Sequence, residues 1–446
     1  MHAESAHQSY QLNIAMWKNP GKPILIDASQ LRLGLYIWLD LKWDEHPFLT
    51  NRFMLKSEKD LVTIQAYDTT GRLYYYPEKS TTRPLDRAVI NTRRADAEEE
   101  ATAAILSAQK AALQHELSQA EKAKKDTVRQ QRAAAQRAEK AWEDAARSTK
   151  EALQNMARSP KAAGEQLASM SRETAAVIAK GEVVLLHLLG DKKEQGPQFH
   201  ALNVLTLCML VGKKLNLPEQ DLADLALAAM AHDVGKALVT PQILKTWPRK
   251  KFEEDIYRQH VQFSLELALK SGAFSREALQ MIADHHETLD GAGWPKGKKE
   301  LSTGSKILAL VNRYDRLCGP EATGKEPLMP AEALAQMFRN ETDKFDKTLL
   351  SVLIKLLGIY PPGTVVVLSD ESLGLVVSPG PHSLQPRVVI YSPELSKEEA
   401  PLIELHNDPE LKIAETVKPS SLPPEVLAWL NPQARLSYYF SVNDAS

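Results

Sequence analysis

Apolar and polar residues alternate with a period near two at both ends of this chain and with a helical period between them. Over 23–40, Ile24 and Ile26, then Leu31, Leu33, Leu35 and Ile37, predict strand, turn and strand. Asp27-Ala28-Ser29-Gln30-Leu31 supplies the turn chemistry. Leu61–Ile64 and Leu73–Tyr76 are further strand candidates, so 21–88 reads as a small β-rich domain after a polar start. Between Asp96 and Arg158 there is no Pro or Gly, and Ala, Glu, Lys, Arg and Gln dominate. These are strong helix formers, and 96–158 reads as a long helical connector or coiled coil. Leu106, Leu113, Leu117, Ala120, Ala138, Trp142 and Met156 roughly follow coiled-coil spacing, which Lys124 and Gln131 interrupt. A homodimer through this helix is a hypothesis that the pattern allows.

After Ser159-Pro160 the helical period resumes over 162–189, and a polar break covers 190–197. Helices are then expected over 198–215, 219–232, 250–271, 275–286, 302–318, 330–339 and 346–357, with Gly, Pro, Asp or Ser at most joints. The segment 162–358 is thus an all-helical domain. Val365–Leu368, Leu373–Val377 and Val388–Tyr391 return to β-branched runs, with Ser437–Val442 to close a β-rich appendage over 359–446. The fold class is mainly α, with a small β-rich domain at either end.

A formal net charge of −2 provides no global basic footprint, so neither DNA nor RNA is an expected partner. The two cysteines, Cys208 and Cys318, form no CxxC pair, which fits a reducing compartment. The first residues carry no basic-then-apolar signal pattern, and apolar runs such as Leu225–Ala231 are far shorter than a membrane span. The expectation is a cytoplasmic protein without membrane contact.

Candidate chemistry gathers in the helical domain. His285-His286-Glu287 runs into Asp290-Gly291-Ala292-Gly293-Trp294-Pro295, so two adjacent imidazoles precede a loop whose glycines let it fold back. His232-Asp233 closes a predicted helix, with Gly235 and Lys236 just beyond. His200 shares a face with Val204, Leu207 and Val211, His260 with Ser264 and Leu267, and Asn312 lies above Leu308. A lone inward histidine is usually a satisfied core residue. Five, with an aspartate, are hard to bury without a cation. Imidazole with carboxylate suits Fe, Mn or Zn rather than Mg or Ca, and the absence of cysteine ligands argues against a structural zinc knot. His46 has no ligand-type neighbour at useful spacing and reads as structural.

The His232-Asp233 pair and the HHExxDGxG-aromatic-Pro run, closest over 180–320, resemble the HD-GYP family of metal-dependent phosphohydrolases, with Trp294 at the family's tyrosine. Leu31–Leu35, Leu39-Asp40 and Trp43–Phe48 resemble the uncharacterised domain often found before HD-GYP domains, with Leu35 at a position that is usually Met. The resemblance implies an HD-type bundle that hydrolyses cyclic di-GMP to pGpG or GMP in bacterial signalling. It also implies two divalent transition metals, Fe or Mn. One would be held by His200, His232, Asp233 and Asn312. The other would be held by Asp233, His260, His285 and His286. Lys236 would join Asp233 in catalysis, and Glu287, Asp290, Gly291, Gly293, Trp294 and Pro295 would shape the substrate loop. Diguanylate cyclase-type domains are the kind of protein partner such a module would meet. Three departures stand out. Asn312 replaces an aspartate, Gly196 replaces a glutamate that holds a third metal in some members, and Cys318-Gly319-Pro320-Glu321 lacks the family's Arg-Pro-Tyr-Arg phrase. The alternative is therefore a degenerate domain that binds the dinucleotide, or a partner protein, with little turnover.

Overall fold

The computed structural model describes residues 22–41, 46–48, 50–67, 69–86, 119, 122, 140, 142–180, 182–187, 196–319, 327–393, 395, 400, 402–408, 410–432 and 438–443. The chain divides into two compact units, 1–131 and 132–446.

In the first unit, β1 (Ile24–Leu25), β2 (Tyr36–Leu39), β3 (Arg52–Met54) and β4 (Leu73–Tyr75) form an antiparallel sheet in the order β1-β4-β2-β3. The alternation of β2 sends Ile37 and Leu39 into a core with Leu31, Leu35, Leu55 and Leu73, while Trp38 stacks on Tyr74. Leu61–Ile64 is not a strand but part of α1 (Glu58–Gln65). The Ser57 hydroxyl accepts from the Asp60 backbone N–H at 3.1 Å, and this cap outweighs the β preference of Val62, Thr63 and Ile64. His46 is buried and hydrogen-bonded to Asn51 at 3.0 Å.

Most of the expected 96–158 connector lies outside the described residues. Its last part is helical over 142–155, and Trp142 stacks on Phe199 with centroids 5.0 Å apart. The next helix, α2 (Pro160–Lys180), stops well short of Leu189 and gives way to β5 (Glu182–His187). A short apolar run such as Val183–Leu186 fits either period, and strand pairing decides it. There follow α3 (Pro197–Lys214), α4 (Glu219–Ala231), α5 (Pro241–Lys245), α6 (Lys251–Arg258), α7 (His260–Ser271), α8 (Arg276–Asp284), α9 (Thr303–Cys318), α10 (Pro330–Asn340) and α11 (Lys347–Leu357). The expected helix over 250–271 is two, α6 and α7. The Tyr257 carbonyl accepts from the His260 ring at 2.6 Å, and the chain turns at Gln259.

The centre of this bundle is α3, apolar nearly all round and buried with Leu225, Ala228, Ile282, Leu308 and Tyr314 from its neighbours. The C-terminal part holds β6 (Val365–Leu368), β7 (Leu373–Ser378), β8 (Arg387–Ile390), β9 (Leu402–Glu404) and β10 (Ile413–Val417), antiparallel in the order β10-β6-β7-β8-β9. Val366 and Leu368 pack on one face, and Val365 and Val367 pack on the other against Val426 and Leu430 of α12 (Pro424–Leu430). The final strand, β11 (Tyr438–Asn443), does not close this sheet. It pairs with β5, from Glu182 opposite Asn443 to His187 opposite Tyr438. Among the described residues no helix is long and apolar enough to cross a membrane.

Candidate metal centre

Five helix ends and faces converge on one spot. His200 lies in the first turn of α3, His232 caps the C-terminus of α4, and Asp233 follows it. A 3-10 turn, Val234–Leu238, carries Lys236, while His260 opens α7 and His285 caps α8. Gly235 lets α7 approach, because a Cβ there would lie 2.2 Å from the His260 carbonyl oxygen. Its N–H donates to Ser264 Oγ at 2.8 Å, which fixes α7 against the turn.

Asp233 stands between two groups. Its Oδ2 faces His200 Nε2 at 3.4 Å and His232 Nε2 at 3.5 Å. Its Oδ1 faces His260 Nε2 at 3.2 Å and His285 Nε2 at 3.6 Å. The donor atoms of His200, His232 and Asp233 all lie within 4.8 Å of one another, as do those of Asp233, His260, His285 and His286. Lys236 Nζ bonds Asp233 Oδ2 at 2.5 Å. The structure thus brings together every histidine singled out in the sequence for this role. Asn312 is buried beside them, its Nδ2 donating to the His285 carbonyl at 3.4 Å.

The ring protons are fixed by their outer partners. His232 Nδ1 donates to the Ala229 carbonyl at 2.8 Å and His285 Nδ1 to the Ile282 carbonyl at 2.7 Å. His200 Nδ1 donates to Asp315 Oδ2 at 2.6 Å, and Asp315 Oδ1 accepts from Asn203 at 2.9 Å. Each of these rings turns its Nε2 lone pair inward, the arrangement that suits a metal ligand. His200 Nε2 and His232 Nε2 then face each other at 3.0 Å, which calls for a positive centre beside them. Asp233 Oδ1, His285 Nε2 and Asn312 Oδ1 are buried acceptors with no hydrogen-bond donor. Lone pairs left so are costly, and a divalent cation satisfies them. The residues present fit the group that the family resemblance implies.

Electrostatics point the same way. Burial pushes His232 and His260 below the usual histidine value against the pull of Asp233, and it takes His285 to about 3. His286 is held well below by burial, then by its neighbours His285 and Arg316. Burial alone would raise the Asp233 carboxyl, but the charge of Lys236 and the surrounding histidines outweigh it and hold it well below the usual range. A carboxylate amid neutral imidazoles suits a cation.

The loop after His286 is braced by its own residues. Glu287 accepts from the backbone N–H of Lys296 at 2.7 Å and of Lys298 at 3.0 Å. Asp290 Oδ1 accepts from Thr288 Oγ1 at 2.5 Å and from Ala292 N at 2.9 Å. Gly291 has φ +78°, and a Cβ on Gly293 would lie 2.3 Å from Thr288 N. Trp294 joins Pro295 through a cis bond and stacks on His286, centroids 4.0 Å apart and 22° between planes. A cavity beside the rings is lined in part by Asn312, Arg313, Arg316 and Lys344.

Asp315, three residues after Asn312 and a candidate in the sequence to compensate for its missing charge, acts instead on a histidine, and Arg316 escaped notice there. Asp315 orients His200, and Arg316 Nη1 lies 3.2 Å from His286 Nδ1. Both sit three and four positions after Asn312 on α9, a spacing that put them on its face from the start.

Residues 140–349 match the family model described as HD domain, and residues 24–167 match one described as a domain of unknown function, DUF3391. A cyclic di-GMP phosphodiesterase of Pseudomonas aeruginosa is 28% identical over 231 residues, 50% of this chain and 55% of that protein. A cyclic di-GMP phosphodiesterase of Borreliella burgdorferi is 25% identical over 40% of this chain and 47% of its own. A 3'3'-cGAMP-specific phosphodiesterase of Vibrio cholerae is 28% identical over 42% of this chain and 39% of its own. The chain spans about half or less of the length of these relatives. A solved HDG"Y"P protein from Bdellovibrio bacteriovorus aligns over 75% of this chain and 99% of its own, at 14% identity and a TM-score of 0.40. Residues 140–349 are thus matched as an HD domain, and a DUF3391 domain begins ahead of it in the sequence.

Proposed function

We propose that this chain is an HD-GYP-type, metal-dependent phosphodiesterase that hydrolyses cyclic di-GMP to pGpG or GMP in bacterial second-messenger signalling. The observation that carries the reading is the double use of Asp233, one carboxylate oxygen toward each of two histidine groups. The names of the relatives support the substrate class, since each is a phosphodiesterase for a cyclic dinucleotide. His200, His232 and Asp233, with Asn312, would hold one divalent cation, and Asp233, His260, His285 and His286 a second, Fe or Mn by the family resemblance. When bound, such cations supply Lewis acidity to a phosphodiester and lower the pKa of water.

The remaining work falls to the chain's own side chains. Lys236 is raised above the usual lysine value, because Asp233 outweighs the burial that would lower it. It stays charged, and its ammonium is placed to balance charge developing on a phosphate oxygen. Arg316 and Lys344 line the adjoining cavity and offer positive charge for a second phosphate, while Arg313, also in its lining, is paired with Glu341. One face of Trp294 is taken by His286, so this ring helps to hold the ligand histidine. The connector over 96–158, which would present a dimer or partner surface, and the cytoplasmic setting remain part of the proposal.

Asn312 favours a second reading, a binder with little turnover, because its amide offers a neutral oxygen where the family has a carboxylate. Turnover of cyclic di-GMP and of 3'3'-cGAMP by the Mn-loaded chain, with His232→Ala alongside, tests both. Hydrolysis of cyclic di-GMP that disappears in His232→Ala supports the enzyme. Binding of cyclic di-GMP without product, regained as product in Asn312→Asp, favours the binder. Hydrolysis of 3'3'-cGAMP alone would overturn the substrate.

A further inference from the structure

The inference rests on the metal-centre reading above and concerns the one ring that differs from the rest. His200, His232, His260 and His285 each donate Nδ1–H to a fixed acceptor at 2.6–2.8 Å, which is Asp315 or the carbonyl of Ala229, Tyr257 or Ile282. His286 does not. Its Nδ1 faces Arg316 Nη1 at 3.2 Å. A guanidinium is all donor and keeps its charge, so this nitrogen must accept, and the neutral ring carries its proton on Nε2. That proton points at His260 Nε2, 3.3 Å away. A one-way chain of donors results, from Arg316 through His286 and His260 to the Tyr257 carbonyl. Trp294, stacked on His286, restrains the ring in this attitude. The chain is complete without a cation.

We propose that Arg316 keeps the Asp233–His260–His285–His286 group closed. By donating to His286 it ties up the His286–His260 nitrogen pair, so that His285 is the one ring of this group with an open Nε2 lone pair, and the group takes its divalent ion with its full ligand set only after the guanidinium lets go. The His200–His232–Asp233 group has both rings already turned for binding. The two ions therefore load in order and with unequal affinity. Arg316 acts through His286 and is a positioning residue of the kind whose replacement shifts metal affinity about tenfold to a hundredfold.

Mn²⁺ alone, titrated calorimetrically into the metal-free full chain, tests this in the native sequence, Arg316→Gln and Arg316→Lys. Glutamine brings an amide oxygen that accepts from Nδ1–H and restores the ligand form, whereas lysine keeps a charged donor. The native chain should bind one Mn²⁺ tightly and a second at least about tenfold more weakly. Arg316→Gln should tighten the second by about tenfold and leave the first alone, and Arg316→Lys should keep the native pattern. Nitrogen-15 spectra of the histidine rings should show His286 as the Nε2–H form in the native metal-free chain and as the Nδ1–H form in Arg316→Gln. Two equal sites in the native chain would overturn the inference, as would an unchanged second affinity in Arg316→Gln. If Arg316→Gln does not fold, the native spectrum decides, and an Nδ1–H His286 sinks the idea. A native chain that binds no Mn²⁺ overturns the metal-centre reading and the inference with it, an outcome distinct from two equal sites.

Discussion

The two groups that share Asp233 have the same ligand chemistry and opposite internal states. On the Oδ2 side, a carboxylate and a carbonyl fix both ring protons outward, and two lone pairs meet at 3.0 Å. On the Oδ1 side, an arginine reverses one ring, and the nearest pair of nitrogens becomes donor and acceptor at 3.3 Å. On the first side two ring lone pairs face each other with no proton between them, while on the second one such pair is bridged by a ring proton and His285 Nε2 stays open. Counting histidines and carboxylates therefore does not tell whether a cluster is ready for a cation. The direction of the proton one bond further out does.

The strongest way to break this contrast is to remove what both sides share. Asp233→Asn should abolish binding of both ions and lower phosphodiester turnover by roughly 10³-fold, seen by metal analysis and product assay. Acid should come next, and it weighs on the Oδ1 side most. His232, His260, His285 and His286 all have folded values below the ordinary 6.5, with His285 near 3. Below about pH 6.5 the unfolded chain takes up protons that the folded chain refuses. Their contribution to stability is therefore complete above that pH and drains away as pH falls, for His285 down to about 3. Melting curves of the chelator-treated chain between pH 7 and pH 4 should show a falling Tm. A flat profile would mean that these rings are not buried in neutral form.

Asp315→Asn attacks the Oδ2 side alone. It weakens the hold on the His200 proton and should lower the affinity of the first Mn²⁺ by about tenfold to a hundredfold, with the second barely moved. Gly293→Ala strikes the Oδ1 side through the loop. Its methyl would press on the Thr288 and Glu287 backbone, at a cost of about 1–3 kcal/mol readable in chemical denaturation. The smallest expected effect is a gain. Asn312→Asp adds a charge where the family resemblance expects a ligand of the first ion and should tighten that ion severalfold while it unsettles the metal-free chain, which must then bury one more carboxylate.

How much of this was legible in the chain depended on what helical spacing can and cannot carry. Period and breakers were enough to turn His200, His260 and the two helix-terminal histidines toward one interior, because a face is a property of spacing. Apolar alternation and β-branched runs marked β1, β2, β4, β6, β7 and β8, whereas β3, β9 and β10 are short or polar enough to go unmarked. Leu61–Ile64 misled because its residues favour strand while a serine three positions ahead of Asp60 caps a helix. Val183–Leu189 misled because its fate is set by a partner far away in sequence. The orientation of His286 was illegible for a different reason. It depends on which of two ring nitrogens meets the Arg316 guanidinium, and no periodicity encodes that.

The pairing of β5 with β11 has a consequence for how the chain is made. About 250 residues separate the two strands. At roughly 5–20 residues per second, a ribosome needs on the order of 10–50 s after finishing Glu182–His187 before its partner exists. For that interval a β-branched edge trails from α2 with its hydrogen-bonding groups unanswered, the kind of edge that recruits neighbouring chains. Slow synthesis, or release of a shortened product ending near α11, would lengthen the exposure. The yield of soluble protein should then depend on translation speed as much as on stability.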